Sequence, residues 1–142
     1  MNNFAMIGRH YHFVVACSLM LMSACATSPR VDPESLVKER ATTRWELLFS
    51  GDLAGAYEYL SPAYRSSVSS LQYQRSILLK RVVWTSAKYI DHQCEEVSCK
   101  VEFDVGFTVS GAIPGVKSYK GTQIIEETWV LVDDEWYLVP AK

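Results

Sequence analysis

The stretch that decides the fold is VSCKVEFDVGFTVS, residues 97–110. Apolar and polar side chains alternate along it, and successive side chains of a β-strand point to opposite faces of the sheet. The apolar face would carry Val97, Cys99, Val101, Phe103, Val105, Phe107 and Val109. The polar face, which includes Glu102 and Asp104, would meet water. This pattern is typical of an antiparallel sheet with helices on one face.

Three further strands are predicted around this one. VVWTSAKYI, residues 82–90, precedes it, and TQIIEETWVLV (122–132) and EWYLVP (135–140) follow, with a turn at Asp133 and Asp134. The segment between, GAIPGVKSYKG, residues 111–121, contains proline and three glycines and predicts a loop. We therefore expect about four antiparallel strands.

Helices are predicted before the strands. Asp32 as N-cap and Pro33 in the first turn start one helix, which Gly51 ends. Asp52 caps the next, LAGAYEYL, residues 53–60. The residues of the first helix that recur at helical spacing are Val37, Ala41, Trp45 and Leu48.

Two more helical segments follow. Ser61 as cap and Pro62 open a short one, and SSLQYQRSILLKR, residues 69–81, predicts another. In that last helix we expect Leu71, Gln74, Ile77 and Leu78 to point inward. Helices first and strands after predict an α+β fold, with N-terminal helices packed on a curved antiparallel sheet.

Composition narrows the function classes. A chain of 142 residues fits one domain, and 49% hydrophobic against 21% charged residues is too apolar for disorder. The formal net charge of -2 argues against nucleic acid as a partner, since such binding needs a clustered basic surface.

The N-terminus carries a short apolar run from Phe13 to Ala24, 12 residues long. A bilayer core of about 30 Å needs roughly 20 helical residues, so the run is too short to span it. Its length suits a signal peptide, which we place at residues 1–24.

The end of that run, MSAC, residues 22–25, resembles the lipobox of bacterial lipoproteins, with Met22 where leucine is usual. The resemblance implies that Cys25 is lipidated and becomes the mature N-terminus, that residues 25–33 form a tether, and that residues 34–142 form the domain. Ala26 after the cysteine implies the outer membrane, facing the periplasm. The alternative is simple secretion, because Ala24-Cys25-Ala26 is also an A-x-A cleavage site.

The remaining cysteines, Cys94 and Cys99 in CEEVSC, predict a disulfide in an oxidising compartment. A zinc site would need two more ligands, and His92, expected to be solvated, is the only histidine left after processing. A thioredoxin-like dithiol has two intervening residues instead of four. We expect no metal and no cofactor.

Two longer stretches carry a family resemblance. RWELLFSGDLAGAYEYLSPAYR (44–65) and EETWVLVDDEWYLVP (126–140) resemble the nuclear transport factor 2-like superfamily, over roughly residues 34–142. The resemblance implies a cone-shaped domain with a pocket inside. It also implies either an enzyme, such as scytalone dehydratase or ketosteroid isomerase, or a binding module without catalytic activity. A homodimer that forms through the polar face of the sheet is a further implication of the resemblance.

Candidate site residues are of two kinds. Aromatic residues either line a pocket for an apolar ligand or fill the core: these are Trp45, Tyr57, Tyr64, Phe103, Phe107 and Trp129. Glu126 and Glu127 are the weak catalytic candidates, because alternation must send one of them to the helix side. Three alternatives remain for that carboxylate. It would be an acid in the pocket with a raised pKa, it would form an ion pair with Arg40 or Arg44, or it would remain in contact with water near the open mouth of the sheet.

These observations favour a membrane-anchored module of the bacterial cell envelope, without catalysis, that binds a small apolar ligand or an envelope protein. One alternative is an isomerase- or dehydratase-like enzyme that uses the pocket carboxylate. Another is an assembly factor of an envelope complex.

Overall fold

The computed structural model describes residues 32–113 and 116–141. Four helices come first: α1 (Pro33–Ser50), α2 (Leu53–Glu58), α3 (Pro62–Arg65) and α4 (Ser70–Leu78). Four strands follow: β1 (Val82–Glu95), β2 (Ser98–Ile113), β3 (Val116–Val132) and β4 (Glu135–Val139). They pair antiparallel in the order β1-β2-β3-β4. The predicted α+β fold, with helices packed on a four-stranded antiparallel sheet, is confirmed.

The helix ends follow the predicted caps. The Asp32 side chain accepts a hydrogen bond from the Glu34 N–H, and Gly51, at φ 79°, ends α1 in the left-handed region that glycine tolerates. Asp52 and Ser61 likewise accept hydrogen bonds at the starts of α2 and α3. Local hydrogen-bonding chemistry therefore fixes where these helices begin and end.

The predicted inward face of α4 is confirmed at Ile77 and wrong at Leu71 and Leu78, and Gln74 is half-buried. Tyr73 is buried and Ile77 packs against the core, whereas Leu71 and Leu78 are 65% and 72% exposed. Leu79, which caps the helix, is 80% exposed. The leucines suggested an apolar face, but the aromatic ring of Tyr73 offers more area to the core and a hydroxyl that finds a partner.

Strand β1 is longer than predicted and continues through His92 and Cys94 to Glu95. The register shifts between Trp84 and Ser86 and again between Tyr89 and Asp91. Each bulge inserts one residue, so the inward positions change phase. The half-buried residues are Val82, Trp84, Ala87, Tyr89, His92 and Cys94.

The loop predicted at residues 111–121 is wrong, because most of it is strand. β2 runs to Ile113 and β3 starts at Val116, and the register continues through Val109 opposite Tyr119 and Phe107 opposite Gly121. At the near end, Val97 lies in the β1–β2 turn and is exposed, although it was predicted on the apolar face. The turn at Asp133 and Asp134 is confirmed, and both have positive φ.

The core lies between α1, α2, α4 and one face of the sheet. Trp129 and Phe103 are its largest fully buried side chains, and the ring of Trp45 lies 6.0 Å from that of Phe103. The edge strand β4 is covered by the chain after α2, where Ser61 N–H donates to the Leu138 carbonyl at 2.8 Å. This cover ties the helices to the sheet and protects an edge that would otherwise pair with other chains.

Candidate functional site

A cleft of about 390 Å³ opens between α4 and the sheet. We call it the α4 cleft. Its apolar wall is formed by Trp45, Tyr64, Tyr73, Ile77, Trp84 and Ile125. The size lies at the lower end of the roughly 300–1,000 Å³ of small-molecule pockets. The cleft therefore suits one ring system or a short chain.

Helix α4 covers one side of this cleft. Its capping box, in which Ser69 and Gln72 satisfy each other's backbone N–H groups, fixes the start of the helix. Tyr73 and Ile77 are four residues apart and therefore share a face. Ser76 of α4 also lines the cleft, as does Lys80, which follows the end of the helix at Leu78 and its cap at Leu79.

The polar end of the cleft is a buried ion pair. Arg44 Nη1 donates to Glu127 Oε1 at 2.9 Å, and both residues are buried. Trp129 Nε1 donates to the other oxygen, Oε2, at 3.1 Å. Arg44 Nη2 also reaches the Tyr73 hydroxyl, at 3.5 Å. Of the three sequence alternatives for the inward carboxylate, the structure combines two, pairing with Arg44 and a place in the cleft with a raised pKa.

Burial raises the pKa of Glu127 above its ordinary value of 4.5, and the attraction of Arg44 and the hydrogen bonds from Trp129 and Arg44 oppose that rise. The free-energy cost of desolvating a carboxylate inside a protein can exceed the attraction that one charged partner supplies. Glu127 thus prefers its proton more than a solvated glutamate does.

Two buried donors of the lining have no acceptor among the described residues: Nε of Arg44 and Nε1 of Trp45. Trp45 also meets Trp84 edge to face, with ring centroids 5.5 Å apart. At the mouth, Lys80 Nζ lies 5.2 Å from the centroid of the Trp84 ring. The lining therefore contains two buried donors without a partner among the described residues and one exposed cation over an aromatic ring.

Of the predicted pocket aromatics, Trp45 and Tyr64 line the cleft. Tyr57, Phe103 and Trp129 belong to the core cluster. Phe107 is half-buried beside Tyr119, with ring centroids 6.2 Å apart.

The two candidate carboxylates separate. Both line the cleft, but Glu127 is buried there, whereas Glu126 is exposed at its edge and its Oε1 accepts from Lys100 Nζ at 2.9 Å. This contact is the main reason that the pKa of Lys100 is raised. Arg40, the other proposed partner, donates to the Trp136 carbonyl at 2.7 Å.

Sequence reasoning missed Tyr73, Ser76 and Lys80 as lining residues, because α4 was oriented by its leucines. The spacing of Tyr73, Ile77 and Lys80 at i, i+4 and i+7 was the available signal.

The predicted disulfide is confirmed, and it joins Cys94 of β1 to Cys99 of β2. The two residues pair directly across the hairpin, with Cα atoms 4.0 Å apart. Cys99 is fully buried. The bond therefore closes the β1–β2 end of the sheet, and Cys25 lies outside the described residues.

His92 is not simply solvated, as was expected. Its Nδ1 hydrogen-bonds with the Tyr89 hydroxyl, and its Nε2 lies 3.8 Å from Glu34 Oε2. Within residues 32–113 and 116–141 no group of His, Cys, Asp or Glu could hold a metal ion. In that same part of the chain, no helix is long and apolar enough to cross a membrane.

Comparison with known proteins supplies a likeness of fold. No protein-family model and no curated protein sequence matches this chain. Among solved structures, the chain is similar to the solution structure of a SEC-C motif containing protein from Rhodopseudomonas palustris. The TM-score is 0.56 at 12% identity, and the match covers 72% of this chain and 74% of that one. At this identity the likeness concerns the fold alone.

The assignment to a family of bacterial lipoproteins with a nuclear transport factor 2-like domain is therefore wrong, whereas lipidation of Cys25 falls outside the described residues and stays a prediction. No comparison supports either family, and the structural match is to a SEC-C motif protein. The features that suggested the superfamily, such as the Gly51-Asp52 break and the Ser61-Pro62 turn, are helix caps. Any domain that packs short helices on an antiparallel sheet needs such caps, so they do not distinguish one family from another.

Proposed function

We propose that this protein is a non-catalytic binding module that holds a small apolar ligand in the α4 cleft. The observation that supports the proposal is the cleft itself, about 390 Å³ in volume, with a wall of aromatic and aliphatic side chains. Pockets for small molecules combine such apolar walls with a few placed polar groups. Here the polar groups are the Arg44–Glu127 pair and the Tyr73 hydroxyl.

A filled-cleft variant tests this proposal. Ile77→Trp places a larger side chain in the cleft, and Leu78→Trp places the same side chain on the exposed side of α4. We expect Ile77→Trp to abolish calorimetric binding of a neutral probe, 4-phenyl-1-butanol, and Leu78→Trp to leave it unchanged. Failure of the wild-type protein to bind the probe, or equal binding by both variants, would contradict the proposal.

A second pair of variants provides a control in case the substitution at residue 77 disturbs the fold. Ile125 lines the cleft, and its neighbour Ile124 is exposed on the opposite face of β3. Ile125→Trp should weaken probe binding and Ile124→Trp should not. Circular dichroism of all four variants shows which of them keep the fold.

We further propose that the module acts in the bacterial cell envelope, held to the membrane by a lipid on Cys25. What supports this is the residue pattern alone: a 12-residue apolar run, two small residues and then a cysteine. A lipid anchor contributes about 0.8 kcal/mol per buried CH₂, so durable attachment takes more than one chain. By the identity of Ala26, the outer membrane facing the periplasm is the proposed location.

Intact-mass measurement of membrane-extracted protein tests the anchor. We expect a species that begins at Cys25 and carries acyl groups, and a Cys25→Ser variant without them. A species that retains Met1, or one that lacks acyl groups, would show that the anchor is wrong. Separation of inner and outer membranes on a density gradient then tests the location.

One observation favours a catalytic alternative: the raised pKa of Glu127, whose carboxylate lines the cleft. An isomerase- or dehydratase-like reaction needs a carboxylate that moves a proton. The alternative expects isomerisation of a β,γ-unsaturated cyclic ketone, lost in Glu127→Gln and kept in Glu126→Gln. Equal rates in both variants would exclude Glu127 as the base. The hydrogen bonds that both of its oxygens already accept count against this alternative.

The exposed leucines of α4 favour the other alternative, an assembly factor in an envelope complex. Large apolar side chains in contact with water mark protein contacts when they cluster. A photo-crosslinking residue at position 78, compared with one at the exposed but distant position 97, tests it in whole cells. A discrete adduct at position 78 only is expected, and equal labelling would contradict it.

A further inference from the structure

We propose that the α4 cleft takes an amphipathic monoanion, an apolar ring or chain that ends in a carboxylate. The apolar part would lie beneath α4, and the carboxylate would meet Lys80 at the mouth. This inference rests on the proposed binding function and adds the charge of the ligand.

The charges of the lining leave one cation over. Arg44 and Glu127 neutralise each other across 2.9 Å, and Glu126 is paired with Lys100 at 2.9 Å. Lys80 makes no ion pair within 4 Å in the part of the chain that the structure describes. The lining holds two cations, Arg44 and Lys80, and two carboxylates, Glu126 and Glu127. Because Lys100 pairs with Glu126 from outside the lining, Lys80 is the lining cation left without a carboxylate partner, and it lies beside Trp84.

The position of that charge suits a ligand with two unlike ends. Lys80 is exposed, and its ammonium is held over the Trp84 ring. Since Trp84 also lines the cleft, a ligand whose ring packs on the wall would bring its head group to the ammonium. A carboxylate gains a charge-assisted hydrogen bond there, and an ammonium head group would be repelled.

Three probes of equal tail length test the inference: 4-phenylbutanoate, 4-phenyl-1-butanol and 4-phenylbutylammonium. Binding to the full chain carrying Cys25→Ser, which keeps lipid off the protein, is measured by calorimetry at low salt. We expect the carboxylate to bind tightest, the alcohol next and the ammonium weakest. Salt should weaken only the carboxylate, because it screens an exposed charge.

Substitution of Lys80 tests whether this residue recognises the negative charge of the ligand. Lys80→Gln should lower phenylbutanoate affinity by about threefold to fivefold, the size of a solvent-exposed ion pair, and leave phenylbutanol unchanged. Lys80→Glu should lower it by roughly tenfold, because attraction becomes repulsion. The matched control is Lys38→Gln, since Lys38 Nζ also lies over an aromatic ring, 4.4 Å from the Tyr89 centroid, and does not line the cleft.

The outcomes separate the two claims. Equal affinity for the three probes, or an effect of Lys38→Gln equal to that of Lys80→Gln, would overturn the monoanion inference while apolar binding still stands. No binding of any probe would overturn the proposed function together with it.

Discussion

The orientation of α4 decides whether the cleft exists, and the substitutions Tyr73→Ala and Leu78→Ala test it. Tyr73 is 4% exposed, and its ring lies 5.8 Å from that of Tyr57. Truncating a buried aromatic side chain costs about 3–5 kcal/mol. Leu78 is 72% exposed, so its truncation should change the free energy of unfolding by no more than about 0.5 kcal/mol.

Urea unfolding followed by tryptophan fluorescence measures both, with the disulfide kept oxidised. With a slope of about 1–3 kcal/mol per molar urea, Tyr73→Ala should move the midpoint down by at least about 1 M. Leu78→Ala should leave it nearly unchanged. Equal losses, or a larger loss for Leu78→Ala, would mean that α4 packs through its leucines, and the cleft as described would not form.

Further tests concern the ion pair and the disulfide. Arg44→Met leaves the carboxylate of Glu127 buried and unpaired, and it should lower the free energy of unfolding in urea by about 3–5 kcal/mol. The double variant Arg44→Met/Glu127→Leu should recover most of that loss. A double variant that is no more stable than the single one would contradict this. Since burial raises the pKa of Glu127 above 4.5, the folded state holds that proton more firmly than the unfolded chain, and the stability it contributes is lost as pH rises above 4.5. Glu127→Gln leaves Arg44 unpaired and should lower stability at every pH, but its deficit relative to the wild type should shrink as pH rises above 4.5, and the same trend in Glu126→Gln would refute the assignment. Replacing Cys94 and Cys99 by serine should cost about 2 kcal/mol by loop entropy, and unchanged thermal unfolding would contradict a structural role.

Sequence reasoning predicts the fold well where a local rule acts alone. The caps at Asp32, Asp52 and Ser61 each satisfy backbone groups within a few residues, so their chemistry is legible in the sequence. The alternation from Cys99 to Val105 likewise needs only one buried face.

The errors arise where neighbours in space decide. Strand β1 continues past Ile90 because two bulges reset its alternation, and Gly106 makes room for the first of them. A Cβ on Gly106 would lie 2.5 Å from Ser86 Oγ. Periodicity along one strand contains no information about such a cross-strand fit.

The residues of the candidate site could be predicted from the sequence only in part, for the same reason. Alternation showed that one of Glu126 and Glu127 faces the helices, but the choice depends on the register of β3 against β2, where Glu127 pairs with Val101. Lys80 could not be recognised as a lining residue until the Tyr73 face of α4 was known to point inward.

Chemical-shift mapping of bound 4-phenylbutanoate on the isotope-labelled full chain carrying Cys25→Ser tests the binding claim most directly. The structure predicts that the perturbed signals are the indole N–H groups of Trp45 and Trp84 and the backbone amides of Tyr73, Ile77 and Ile125, all of which belong to the cleft. Shifts confined to the leucine side of α4, or no saturable shifts at all, would contradict it.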